Sequence, residues 1–259
     1  MVEADALPVE APRRFHFNWV PGVFFRPRQI FARIGTAASG VWLTPMLILS
    51  LTTLGRVITA GWLRAQAAAA GGVTLPPEFQ YYPPEQQAQF QQALAATNGP
   101  VFLYVFPALA GLISIWIGWL MVSGLLHLAL TMLGGRGDTR SAINLVAWSG
   151  LVFALRDVVR MIAMLAGKQL IQSPGLSGLL GGEPSGGMAY LVTFLSLVDL
   201  YVIWHVILLA IGVRAANGLS AAKTVGGVLV TILVVMALQA LLAFLTGQLG
   251  GLTIIRPFF

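Results

Sequence analysis

The sequence predicts an all-α polytopic membrane protein: a five-transmembrane-helix bundle with a short N-terminal interfacial helix and an outer loop helix. Three observations predict it. Of 259 residues, 57% are hydrophobic and only 9% charged, against roughly 25% charged in a soluble domain. Five apolar runs, at about 41–63, 101–133, 142–167, 189–213 and 224–249, are each long enough to cross ~30 Å of hydrocarbon at ~1.5 Å per residue. The basic residues crowd onto the segments that five spans would leave on one side.

Residues 1–26 contain Pro and Arg without sustained periodicity and are expected to form a cytoplasmic tail. Glu3, Asp5 and Glu10 precede the first apolar run, which argues against a secretory signal peptide. Pro27 opens PRQIFARI, where Ile30, Phe31 and Ile34 share a face and Arg28 and Arg33 lie off it, the pattern of a helix lying in the headgroup plane.

The first span carries Trp42 and Trp62, 20 residues or ~30 Å apart, the spacing of two interfacial belts. Arg56 lies inside it, six residues from Trp62, within snorkelling range of the interface. Residues 71–100 form the largest loop, with a Gln-rich helix from Glu85 to Thr97. The second span is too long for one straight crossing, and Pro107 offers a kink. Gly111, Ser114 and Gly118 form a small-residue stripe suited to close helix packing. GGRGDTRS is a tight polar turn into the third span, whose Arg156, Asp157 and Arg160 form an intramembrane polar cluster with Asp199 of the fourth. Asp157 and Arg160, at i and i+3, are placed to neutralise each other. By depth, Arg156 and Asp199 each lie ~15 Å below the outer ends of their spans, which makes Arg156 the first choice of partner for Asp199. The loop 168–188, rich in Gly, Ser and Pro, reads as flexible. The fifth span is almost free of polar groups, and residues 250–259 are expected to form an outer tail.

Arg13, Arg14, Arg26, Arg28, Arg33, Arg136, Arg140, Arg214 and Lys223 fall on one side of this arrangement, and Arg64, Lys168 and Arg256 on the other. The positive-inside rule then puts the N-terminus in the cytoplasm and the C-terminus outside the cell membrane. That distribution accounts for the net charge of +6 without a nucleic-acid partner. There is no cysteine, and no HExxH, GxSxG or phosphate-loop motif. Neither catalysis, nor a metal, nor a cofactor is expected.

RPRQIFARI, HLALTMLGGRGDTRSAINLVAWSG and DLYVIWHVILLAIGVRAANGLSAAK, the last through Asp199, Trp204, Gly212, Ser220 and Lys223, resemble segments of the Yip family, the Ypt/Rab-interacting-protein domain, in its bacterial branch. The resemblance covers roughly residues 25–248, with the domain proper at 27–249. Tyr201 stands where the family usually has Phe, and the third span lacks the proline often seen there. The resemblance implies a five-helix membrane domain without enzymatic chemistry, associated in some bacterial relatives with ABC-type exporters. The expected function is a non-catalytic scaffold or accessory subunit that contacts membrane lipids and binds other integral membrane proteins or itself. The alternatives are a small transporter or channel using Arg156 and Asp199, or a lipid-handling membrane protein. A water-filled cavity containing Asp199 would favour transport, and a dry, paired Asp199 would favour a scaffold.

Overall fold

The computed structural model describes residues 15–70, 76, 78–171, 174–180 and 186–255, with side chains to 248. Of the sequence features above, Arg13, Arg14 and Arg256, the first 14 residues and parts of both long loops lie outside the described residues. Ten α-helices account for most of the chain, and no strand occurs among the described residues. In order they are α1 (Val20–Phe25), α2 (Pro27–Gly35), α3 (Leu43–Ala69), α4 (Pro84–Thr97), α5 (Phe106–Met132), α6 (Thr139–Ser149), α7 (Leu151–Gly167), α8 (Gly187–Ser196), α9 (Leu200–Asn217) and α10 (Ala221–Ile255). Five helical segments are long and apolar enough to cross a membrane: Leu43–Ala69, Val101–Met132, Thr139–Gly167, Leu200–Asn217 and Ala221–Gln248.

The third segment is the axis of the bundle. In its most apolar window 67% of residues are buried, against 6% for Val101–Met132. Nearly all of α6, from Ser141 to Ser149, is buried, and it packs on α2, α5 and α9. Asp138 caps it by accepting from the Ser141 N–H at 2.7 Å. Asn144 and Trp148 then tie it to the chain entering α3. Asn144 Oδ1 accepts from the Val41 N–H at 3.0 Å, its amide donates to the Ser39 carbonyl at 3.2 Å, and Trp148 Nε1 donates to the Val41 carbonyl at 3.0 Å. These bonds satisfy backbone groups that an apolar surrounding would otherwise leave unpaired.

At Gly150 the segment bends. The Phe153 N–H reaches back only three residues, to the Gly150 carbonyl at 2.8 Å, a tightened turn of the kind that redirects a helix. Beyond it α7 packs on α3 and α9, whereas α5 packs along α6, α3 and α10. The space vacated at the bend becomes the cavity described below.

Several boundaries differ from the sequence expectations. The expected tail of 1–26 is folded from residue 17: Val23 is fully buried, Trp19 lies 5.6 Å from Trp148, and Phe24 meets Trp204 edge-on at 5.6 Å. The apolar face of α2 is not offered to headgroups. Ile30, Phe31 and Ile34 are buried against α9 and α6, because protein surface competes for the same stripe that lipid would take. Trp42 joins an interior cluster with Trp116 and Trp119, 5.9 and 5.0 Å away, while Trp62 stays exposed. The second segment starts with a π-helical turn, Val101–Val105, ended by the Phe106 N–H donating five residues back to Val101. Pro107 follows at once and lacks the donor that would extend that pattern. The fourth span, expected to be continuous, breaks between α8 and α9. The last helix runs on through part of the expected tail, to Ile255.

The family-motif glycine, Gly212, marks the closest approach of α9. A Cβ there would meet Phe31 Cδ1 at 2.7 Å and Leu145 Cδ2 at 2.8 Å, whereas one at Gly226 of α10 would meet nothing within 4 Å. Gly212→Val should therefore overpack the α2–α6–α9 contact, cost about 1–3 kcal/mol and lower the melting temperature in detergent. Gly226→Val should melt within a degree or two of the parent, and equal losses at both sites would contradict this packing.

Candidate functional site

Arg56, Arg156, Asp157, Arg160 and Asp199 stand away from the span ends or at the break before α9, and the fold gathers them into two linked groups. In the first, Arg56 of α3 meets Asp157 of α7, with Nε 3.1 Å from Oδ1. The N–H is not aimed at the oxygen, so this is an ion pair rather than an aligned hydrogen bond. The second oxygen of Asp157 accepts from the Thr53 hydroxyl at 3.0 Å. Thr53 and Arg56 are three apart on α3, so one helix face presents both a donor and a cation. Arg56, expected to snorkel, instead turns inward, and Asp157, expected to neutralise Arg160, serves a neighbouring helix. An acid deep among helices gains more from a fixed partner across the interface than from a flexible one on its own helix.

The second group centres on Asp199, which the sequence placed within a helix and the structure places at the start of one. With extended backbone (φ −139, ψ 174), it caps α9, Oδ1 accepting from the Val202 N–H at 2.9 Å. Its other oxygen, Oδ2, takes Arg156 Nη1 at 3.5 Å and Arg160 Nη2 at 3.3 Å. The carboxylate thus sits at the positive end of α9 between two guanidinium groups. Its side chain is only 12% exposed.

A broken helix in an apolar medium must satisfy its freed backbone groups. Besides the cap, the Leu176 N–H donates to the Val198 carbonyl at 3.0 Å. Leu176 belongs to a 3-10 turn, Gly175–Leu179, that packs on α8. Gly175 makes the approach possible: its φ is +61, and a Cβ would lie 2.6–2.8 Å from the carbonyls of Val198, Ser196 and Leu195. The loop expected to be flexible therefore holds the break at 174–180; its residues 172–173 and 181–185 lie outside the described residues.

Between these groups and α5 lies a cavity of about 340 Å³. Arg56, Asp157 and Arg156 line one side, and His205 of α9 and Gln239 of α10 another. Asp199 is not among the lining residues. All three residues of the small-residue stripe line it. Gly111 does permit close packing, since a Cβ would meet Thr53 Cγ2 at 2.9 Å, but Gly118 has only Gln239 Nε2 at 3.8 Å. The stripe is thus half helix contact and half cavity wall.

The other motif residues are structural. Trp204 packs on Phe24, Ser220 begins α10 as its carbonyl accepts from the Thr224 N–H at 3.0 Å, and Lys223 Nζ donates to the Leu133 carbonyl at 3.0 Å. That last contact puts a cation on the negative end of α5. Sequence reasoning missed His205 and Gln239 as cavity residues; their signal, a lone polar group on each of two apolar helices, was visible but carried no direction. Among the described residues no group of three or more His, Asp or Glu could hold a metal ion.

Helical architecture, five membrane-crossing segments and charges tied to one another within them define an all-α polytopic membrane protein. The model of the Yip1 domain matches residues 22–244, and the chain belongs to that family. The match begins inside α1, whose Phe24 packs on Trp204 of α9, and ends within α10. No curated protein and no solved structure matches the chain.

If Asp199 holds both arginines and the cap, its two roles separate by substitution. Asp199→Asn keeps an oxygen for the Val202 N–H and loses the charge, while Asp199→Ala loses both and should be about 1 kcal/mol less stable still. In a double-mutant cycle, Asp199→Asn should cost less in an Arg156→Gln, Arg160→Gln background than in the parent, with a coupling of about 0.5–3 kcal/mol. Additive losses in detergent melts would show that the three groups do not interact.

Proposed function

We propose that this chain is a non-catalytic integral membrane scaffold or accessory subunit of a bacterial cell membrane, binding other membrane proteins. The family resemblance favours an ABC-type exporter of peptides or toxins as the partner. The observation that carries this reading is the engagement of both acids within the spans. Asp157 is held by Arg56 and Thr53, and Asp199 by Arg156, Arg160 and the first turn of α9. An ion-coupled transporter needs a carboxylate that can let go of its partners and meet its cargo. Asp199, off the cavity and bound three ways, is instead suited to hold α7 and α9 together.

The outward faces support the same reading. Ile113 and Ile117 of α5 and Val230 and Leu233 of α10 are exposed, an apolar surface open to lipid and to partner helices alike. The proposed orientation puts α4, with no buried residue, on the outside and the Gly134–Asp138 turn on the cytoplasmic side.

Because the chain has no cysteine, single substitutions read topology directly. A membrane-impermeant thiol reagent applied outside should label Gln89→Cys in intact cells and label Arg136→Cys only after lysis. Labelling of both from one side would overturn the orientation.

A photocross-linker at Ile117 should give a discrete adduct with another integral membrane protein, or with a second copy, in native membranes, while one at the buried Trp148 should give none. The chain reconstituted alone should catalyse no ion or solute flux above protein-free vesicles. Flux from the isolated chain that is lost in Asp199→Asn at unchanged stability would replace the scaffold reading with transport.

A further inference from the structure

The charges around the cavity do not balance. Three arginines, Arg56, Arg156 and Arg160, face two carboxylates, Asp157 and Asp199. Asp157 spends one oxygen on Arg56 and the other on Thr53, so the second group must share a single carboxylate oxygen between two guanidinium groups. Arg156 has the longer of those contacts, 3.5 Å, and its Nε is buried without a hydrogen-bond partner. Arg156 also lines the cavity, whereas Arg160 does not. The surplus positive charge is therefore presented at the cavity wall by Arg156.

A second polar group waits at the same wall. His205 is 4% exposed, lines the cavity, and has an Nδ1 with no hydrogen-bond partner. The Phe153 ring lies between the two, 4.9 Å from the imidazole and 4.6 Å from Arg156 Cζ. Ser114 and Gln239 add neutral polar groups from α5 and α10, and Met46, Leu49, Val122, Ile232 and Met236 make the rest of the wall apolar. A largely apolar cavity with a few convergent polar groups is the usual form of a small-ligand site. The lining residues Ser114 and Gln239 are exposed and Gly118 is half-buried, which opens the cavity along the apolar faces of α5 and α10, toward the bilayer rather than toward water.

We propose that this cavity binds a single-chain amphiphile with one negative charge, a fatty carboxylate drawn from the membrane. Its head lies at Arg156, and its chain runs past His205 along the methionine and aliphatic wall. One negative charge balances the one surplus arginine. A volume of about 340 Å³ is at the small end of ligand sites, which run ~300–1,000 Å³, and suits one chain rather than two. The lateral opening selects a ligand already dissolved in the bilayer. This inference is independent of the scaffold reading, since a partner-binding subunit and a transporter could equally hold such a ligand.

The test is equilibrium binding of radiolabelled decanoate to the purified full-length chain in nanodiscs of zwitterionic lipid, with butyrate and decanol as competitors. Decanoate should bind saturably at about one per chain, and neither butyrate, which has the head alone, nor decanol, which has the chain alone, should displace it at tenfold higher concentration. Displacement by butyrate would show a site for water-soluble carboxylates, and displacement by decanol a merely greasy one; either overturns the proposal. Gly118→Leu fills the cavity with no change to the charges, and should weaken decanoate at least tenfold. Arg156→Gln should do the same, and Gly226→Leu, in open space on α10, should bind as the parent does. Unchanged binding in Gly118→Leu, whatever Arg156→Gln does to folding, would place the ligand elsewhere and refute the site.

Discussion

Keeping five charges among helices that cross a bilayer is the constraint from which the rest of this structure follows. A lone Arg or Asp at bilayer depth costs roughly 2.5–3.5 kcal/mol on insertion scales, and this chain carries Arg56, Arg156, Asp157, Arg160 and Asp199 there. The fold answers by linking three helices: α3 to α7 through Arg56 and Asp157, and α7 to α9 through Asp199. Asp199 binds two arginines through one oxygen while the other caps a helix. Placing Asp199 ahead of the first turn of α9 achieves that, since a capping residue has extended backbone and a free approach. The break between α8 and α9 is thus a condition of the ion pairing as much as a feature of local sequence. The Gly175 turn folded onto the break is its necessary complement, supplying a donor to a carbonyl that no helix can serve.

The other half of the bundle is organised by close packing without charge. There α6 lies at the centre, and small or shape-matched contacts bring α2 and α9 onto it: Gly212 against Phe31 and Leu145, and Gly35 against Ala216. Between the two halves Gly150 turns the third segment. Had α6 and α7 formed one straight rod in contact with α5 throughout, the space between α5 and the arginines would have been filled by side chains of α7. The bend instead carries α7 to α3 and α9, where its charges find partners. A cavity with an arginine in its wall is the geometric consequence of satisfying those charges sideways.

Much of this was legible in the sequence, and all but one of the failures share a cause. Hydropathy located five crossing segments, and composition the Gln-rich loop helix and the polar turn before α6, because length and composition are local properties. The depth argument paired Arg156 with Asp199 because adjacent antiparallel spans equate depth with proximity. What composition could not show was direction. The stripe of Ile30, Phe31 and Ile34 is amphipathic whether it faces lipid or α9, and Trp42 looks interfacial whether or not Trp116 and Trp119 await it. Arg56 could reach water or Asp157 at similar depth, and only the placement of α7 decides. The α8–α9 break was hidden for a different reason: LSLVDLYV has neither Gly nor Pro, and in an apolar span the one sign of a helix start was a capping aspartate that read as a buried charge.

The same arrangement bears on motion. Separating α7 from α9, or rotating α9 about its own axis, would release two arginines from Asp199. Sliding α3 along α7 would part Arg56 and Thr53 from Asp157 together. Each of these movements exposes several unpaired groups to an apolar medium at once, so their costs rise together rather than one at a time. The contact of α5 with α10 has a polar link at its end, from Lys223 Nζ to the Leu133 carbonyl, but no ion pair along its length among the described residues, and the outward side chains of both helices are apolar. Adaptation to a ligand or a neighbouring helix is therefore easiest along the α5–α10 seam, where the cavity opens. The charged helices form the fixed frame against which that seam can move.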